Sequence, residues 1–332
     1  MYDSLQVFLY LIISLVFLVF LLLDGFDMGI GMILPFFPQT DSGHRKLLDL
    51  VWPFWDGNEL WAIIGGSLLL AAFPAAFVGI LGSFAPVLAL MLGVLMLRPV
   101  SFEAWYRDAM HRRLWELIQA VGSFLLSFGL GFTLGTLLQG LPLTQTGGIE
   151  GAPLSAVRPF AVITGLLAAA SSILGGLYFV RKKTDGSVRE KSIAISRIIL
   201  PIAAALSVFT VLGIIILVPD TRINPVFWIA VVLAVACFFF LLFASAKGND
   251  HVPFYFSSAA TVFVWIAGTI ALFPYLLRPA DGGAGISIGN SSSPVTSMQF
   301  LSIVVPVALV ILALYSIFIY RVFKGKSRPL EY

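Results

Sequence analysis

Long apolar runs, broken at intervals by short polar stretches, make up nearly the whole chain. Runs long enough to cross a bilayer as helix, about 20 residues each, lie near 5–34, 52–74, 79–98, 114–139, 159–180, 197–218, 225–246, 257–277 and 299–321. The pattern predicts an all-α polytopic membrane protein with nine transmembrane helices in a single integral membrane domain over 1–332. The first run, about 30 residues, would extend roughly 45 Å as helix, so it must tilt or project beyond the hydrocarbon. It could be mistaken for a secretory leader. Asp3 stands where a leader carries Lys or Arg, the apolar run is too long, and no small-residue cleavage site follows; a first transmembrane helix is expected instead. The loop near 278–298 contains DGGAGISIGNSSSP, a Gly/Ser-rich run expected to be flexible. No internal repeat emerges.

Composition agrees with this pattern. The chain is 59% hydrophobic and 11% charged, with mean hydropathy +0.99, against about 25% charged residues in soluble domains. Neither a soluble domain nor a nucleic-acid surface is expected. The single cysteine, Cys237, excludes an internal disulfide. With nine spans the connections alternate between two sides. Seventeen of the 20 Lys and Arg fall on one side: Arg45 and Lys46; Arg98, Arg107, Arg112 and Arg113; six between Arg181 and Arg197; Lys247; and four from Arg321 to Arg328. Only Arg158, Arg222 and Arg278 fall on the other. Basic residues favour the cytoplasmic side, so the N-terminus is expected outside and the C-terminus in the cytoplasm.

Against this apolar background the ionisable residues within spans are the candidate chemistry. The stretch LDGFDMGIG over Leu23–Gly31 places Asp24 and Asp27 three residues apart, on one helix face. An intramembrane carboxylate costs roughly 2.5–3.5 kcal/mol on insertion scales, so two together need a partner or a purpose. Gly25, Gly29 and Gly31 around them would let another helix approach closely. Asp56 and Glu59 repeat the spacing in WPFWDGNELW, with Pro53 suited to a first helical turn. Arg98 ends the third run and Glu116 starts the fourth. All six fall toward the cytoplasmic side of the expected topology. Two readings stay open: these groups pair among themselves, Arg98 with an aspartate, and fix helix packing; or they form a proton-conducting or cofactor-supporting cluster. Arg98 could equally be an interfacial anchor.

Other side chains narrow the options. His44, His111 and His251 all fall in loops or at helix ends, where a solvated side chain is the expectation. Membrane haem is ordinarily held by a buried His, so this chain is not expected to hold haem by itself. Met28, Met32, Met91 and Met96 read as core filler, and Trp52, Trp55 and Trp61 as an interfacial aromatic belt. The last five runs carry no Asp, Glu, Lys or Arg between their ends and read as scaffold.

Several segments carry a resemblance. LDGFDMGIGMILPF (Leu23–Phe36), PFWDGNELW (Pro53–Trp61), GGSLLLAAFP (Gly65–Pro74) and LRPVSFE (Leu97–Glu103) resemble, in order and spacing, the signature of subunit II of cytochrome bd-type quinol oxidases. GSFLLSFGLG (Gly122–Gly131), NSSSPVTSMQ (Asn290–Gln299) and YSIFIYRVFKGK (Tyr315–Lys326) look like the matching later segments. The resemblance implies two four-helix bundles plus one peripheral helix, docked on a homologous subunit I in the bacterial cytoplasmic (inner) membrane. Subunit I would hold the haems b and d and the quinol-binding loop. Together the subunits would oxidise quinol and reduce dioxygen to water with cytoplasmic protons. A small single-helix subunit and a structural quinone occur in some members. Family residues tied to proton delivery or haem stability fall on Asp27, Asp56 and Arg98, with Asp24, Trp55 and Glu59 in the surrounding motif. Asp56 and Glu59 are thereby assigned to a proton pathway, and Asp27, Arg98, Asp24 and Trp55 to support of the partner's haem environment without ligating it. Ser101 replaces a family aromatic or Gly, with no expected chemical consequence.

Two functions follow as expectations. The first is a haem-free subunit of a respiratory terminal oxidase, catalytic only with its partner. The second is a free-standing proton-coupled transporter using the same carboxylates, although a transporter should place its charges near the midplane of both halves.

Overall fold

The computed structural model of the chain describes residues 3–37, 41–141, 158–246, 249–280 and 285–325. Lys247, Lys326, Arg328 and the first four residues of the Gly/Ser-rich run lie outside them. Ten helices carry the described part: α1 (Ser4–Ile33), α2 (Asp41–Val51), α3 (Trp55–Ala72), α4 (Pro74–Arg107), α5 (Arg112–Gln139), α6 (Pro159–Lys183), α7 (Gly186–Leu217), α8 (Pro225–Ala246), α9 (Val252–Leu272) and α10 (Val295–Val322). Eight are long and apolar enough to span a membrane: α1 and α4 to α10. The chain is a multi-pass membrane protein. The run expected over 52–74 forms α3, but Asp56, Asn58 and Glu59 near its start keep it outside that set of eight.

Local chemistry sets the helix ends. Asp3 caps α1 by accepting from the Leu5 amide while the Gln6 side chain accepts from the Asp3 amide, which satisfies two otherwise orphaned donors. Helices α4, α6 and α9 start with Pro in their first turn, where the missing N–H is no loss. Helix α4 departs from helical geometry at Phe84, two residues before Pro86, as expected where proline removes a ladder bond. Between the first two predicted runs lies the amphipathic helix α2, whose Leu47, Leu48, Leu50 and Val51 pack into a core with Phe26, Phe37 and Phe54.

Helix α1 lies at the centre, packed against α3, α5, α6, α9 and α10. Its meeting with α6 is close: a Cβ on Gly29 would collide with the Ser172 carbonyl, and one on Gly176 would meet the backbone of Gly29 and Ile30. Such contacts are how helices associate in lipid. Helix α10 packs on α1 and α3 and leaves most of its apolar surface exposed. At one end of the bundle Asp250, before α9, accepts from Arg181 Nε of α6 at 2.9 Å and from Arg189 Nε and Nη2 of α7 at 2.9 and 2.7 Å. The run expected to be flexible holds structure over 285–294. Strand β2 (Ile286–Ser287) pairs antiparallel with β1 (Tyr275–Leu277), and Ser293 bonds the Ala71 and Ala72 carbonyls at the end of α3.

Candidate functional site

The C-terminal end of α1, the first turns of α3 and the C-terminal half of α4 meet at a buried ionic cluster. Apolar spacing brings α1 there, and its two aspartates then need partners. Asp24 is fully buried and faces Arg98, itself 1% exposed, in a bidentate pair: Nη1 to Oδ2 at 3.0 Å and Nη2 to Oδ1 at 3.2 Å. The same Nη1 reaches Glu59 Oε1 at 3.2 Å. Arg98 is therefore no interfacial anchor. It is held mid-helix because its fork matches a carboxylate, which a water-exposed cation would not need.

Asp27, three residues on, answers to a different helix. Its Oδ2 accepts from Asn58 Nδ2 at 2.7 Å, and the same amide nitrogen lies 3.1 Å from the Leu23 carbonyl and 3.3 Å from the Tyr320 hydroxyl of α10. Asp27 Oδ1 is buried without a partner. Asp56 and Glu59 also part company. Glu59 turns inward to Arg98, whereas Asp56 is exposed in the first turn of α3, where the helix dipole favours a carboxylate. Trp55 is half-buried against the core that contains Phe26 and Phe54.

The cluster thus holds three carboxyls, Asp24, Asp27 and Glu59, against one guanidinium. Arg98 can balance one of them at full charge, so acid is in excess of base in the cluster.

Several expectations change here. Trp61 is buried and its Nε1 points to Ser316 at 3.4 Å, so it belongs to the core and not to a belt. His44 is buried, not solvated, with Nδ1 2.6 Å from Glu116 Oε1; His111 and His251 are exposed as expected. Met28, Met32 and Met91 fill a core with Val94 and Leu126, while Met96 faces outward. Ser101 is buried, and its hydroxyl lies 2.6 Å from both the Arg98 carbonyl and Gln119 Oε1. Asn58, Tyr320 and Gln119 were not singled out by sequence, and His44, the partner of Glu116, was read there only as a solvated side chain. Asn58 is an uncharged amide whose position between two acids was the available signal. Among the described residues no group of three His, Cys, Asp or Glu is placed to hold a metal.

Beside the cluster an apolar cavity of about 550 Å³ opens among α1, α5, α6 and α9, bounded by Phe17, Gly131, Ser172 and Trp265. The buried hydroxyls of Thr133 and Thr210 line it and have no partner.

Residues 5–323 match the family model described as "Cytochrome bd terminal oxidase subunit II". The chain is 24% identical to the cytochrome bd-I ubiquinol oxidase subunit 2 of Escherichia coli (strain K12), covering 96% of this chain and 94% of that protein. It is 25% identical to the cytochrome bd ubiquinol oxidase subunit 2 of Bacillus subtilis (strain 168), covering 97% and 98%. Its fold matches a chain in the structure of bd oxidase from Geobacillus thermodenitrificans with a TM-score of 0.77, at 15% identity over 97% of this chain and 99% of that one. The chain therefore belongs to the cytochrome bd terminal oxidase subunit II family, as a multi-pass membrane subunit of a quinol-oxidising oxidoreductase complex that includes a subunit I.

Proposed function

We propose that the chain is the haem-free subunit II of its oxidase: it delivers cytoplasmic protons toward the oxygen-reducing site in subunit I and steadies the haem environment there. The observation that carries this reading is the buried cluster of Asp24, Asp27 and Glu59 around Arg98, with acid in excess of base. The b and d haems of subunit I supply the electron transfer and oxygen reduction. Asp56, exposed at the head of α3, collects protons, and Glu59, one turn further in, receives them. Asp24, Asp27 and Arg98 fix the geometry of α1, α3 and α4, and Trp55 packs the rim. Ionisable side chains within membrane helices commonly mark such relays.

The topology that supports this role has nine crossings, two four-helix bundles and α10 at the periphery, with the N-terminus outside and the C-terminus in the cytoplasm. Helix α3, at 18 residues, extends about 27 Å, at the short end of what crosses the hydrocarbon, and its buried Asn58 and Glu59 face α1 and α4 while Asp56 stays exposed. Seventeen of 20 basic residues, the buried Arg98 among them, then lie toward the cytoplasmic side of a bacterial inner membrane. The cavity suits the apolar body of a structural quinone, with the free Thr133 and Thr210 hydroxyls as donors to a carbonyl oxygen. Any small single-helix subunit would sit with subunit I at the lipid-facing surface.

The test is Asp56→Asn in the assembled complex. The amide keeps shape and hydrogen bonding but holds no exchangeable acid. Normal haem content with most quinol oxidase turnover lost is the expected result; turnover at the parent rate across the pH range would make Asp56 a helix cap and end the proton assignment.

A further inference from the structure

Polar side chains beyond the ionic cluster line one face of α5. Glu116, Gln119, Ser123 and Ser127 recur at helical spacings of three and four and are all buried, with exposures of 6, 1, 0 and 1%. The outer end is paired: Glu116 Oε1 lies 2.6 Å from His44 Nδ1 of α2 and accepts from Trp105 Nε1 of α4 at 3.0 Å. Arg112 stacks on the Trp105 ring at 4.6 Å. One turn inward, Gln119 meets Ser101, and through it the Arg98 carbonyl. The Arg98 stem crosses α5 at Gly122, so the stripe runs beside the guanidinium that holds Asp24 and Glu59.

Helix packing alone would fill such a face with Leu or Ala. Here four buried polar atoms, His44 Nε2, Gln119 Nε2, Ser123 Oγ and Arg98 Nε, have no protein partner. Gly31 of α1 lies opposite; a Cβ there would meet the Ser123 hydroxyl and Gln119 Nε2. Buried polar groups left without protein partners are the sites that internal water occupies, each water bonding about three of them.

We propose that the α5 stripe is a hydrated proton-uptake route, headed by the His44–Glu116 pair, that feeds the Asp24–Arg98–Glu59 cluster separately from Asp56. The inference rests on the reading that this cluster delivers protons. The imidazole takes a proton at Nε2 and releases one from Nδ1 to Glu116 Oε1, so one proton moves inward and the ring returns to its starting charge. Water beside Gln119 and Ser123 carries it on. Arg98 stays protonated and holds the carboxyls; Glu59 is the acceptor beyond it.

The experiment measures quinol-dependent oxygen consumption against pH in the purified complex for Asp56→Asn, Glu116→Gln and the double variant, with haem content as the assembly check. Glu116→Gln should assemble with normal haem and an unchanged quinol KM. Its kcat should fall roughly two- to five-fold, more at higher pH where protons are scarce, and Glu116→Asp should restore it. The double variant should lose nearly all of the turnover that Asp56→Asn retains. If Asp56→Asn loses turnover while Glu116→Gln keeps the parent kcat at every pH, the α5 route is overturned and the proposed function stands. If neither variant alters turnover, the proposed function fails and this route with it. Should Glu116→Gln not assemble, Gln119→Leu carries the same test: reduced kcat with intact haem supports the route, and a parental kcat overturns it.

Discussion

Asp24 and Asp27 show how three residues of spacing can divide labour on one helix. Asp24 is held by two guanidinium nitrogens and Asp27 by one amide nitrogen. Removing the cation is the severe lesion, because it leaves Asp24 and Glu59 buried and uncompensated; breaking a buried pair this way costs about 3–5 kcal/mol. Arg98→Ala should therefore give little assembled complex and a perturbed haem spectrum in what remains. Asp24→Asn, which removes a charge and keeps acceptor and shape, should be milder by thermal unfolding. Asp27→Ala removes the shortest contact of the Asn58 amide, leaving it the Leu23 carbonyl and the Tyr320 hydroxyl, and should also shift the haem spectrum, whereas Asp27→Asn should shift it less. Equal spectra for Arg98→Ala and the parent complex would remove Arg98 from the haem environment.

Elements are held together here by two contrasting devices. Where α1 crosses α6, glycine at 29 and 176 lets backbones touch. Overpacking such a contact costs typically about 1–3 kcal/mol, so Gly29→Ala should lower the thermal midpoint of the solubilised complex and Gly29→Leu should block assembly. At the bundle end, Asp250 ties α6 and α7 to the start of α9 by ionic bonds. Burial raises its pKa, but hydrogen bonds from Arg189 and Arg181 and their charges outweigh that and hold it below the usual carboxylate range. A depressed folded pKa stabilises above the unfolded value, about 3.9, and that stability is lost as pH falls through the folded value. Asp250→Asn should therefore destabilise the complex at neutral pH, with the difference from the parent shrinking once the pH drops below the ordinary carboxylate range. A pH-independent difference would mean that Asp250 acts by hydrogen bonding alone.

For the whole molecule the decisive features are sidedness and dependence on a partner. Reporter fusions at Thr184 and Lys326 should report cytoplasm and one at Gly285 the outside; an inverted result at any of them breaks the nine-crossing topology. The chain expressed alone should bind no haem, since none of its three histidines lies in a membrane-spanning segment. A stoichiometric haem spectrum from the isolated chain would mean that its ligands have been misread. Family membership makes the chain part of an oxidoreductase complex and not a free-standing transporter.

The apolar runs determined the membrane class and most helix positions, because a segment that must satisfy its own backbone in lipid announces itself by length and hydropathy. The cost of intramembrane charge likewise marked Asp24, Asp27, Asp56, Glu59, Arg98 and Glu116 as candidates, of which Asp24, Asp27, Glu59 and Arg98 form the cluster, and the LDGFDMG and WDGNE motifs carried the family. Partners are another matter. Which aspartate meets Arg98, that Asn58 and Tyr320 close around Asp27, that Asp56 faces out while Glu59 faces in, and that His44 is buried on Glu116 all depend on how α2, α3, α4, α5 and α10 pack on one another and on α1 across gaps of tens to hundreds of residues. Periodicity reports the face of a helix, but the neighbour that face meets is decided only when the helices close-pack, and there an uncharged Asn, Gln or Ser matters as much as a charge.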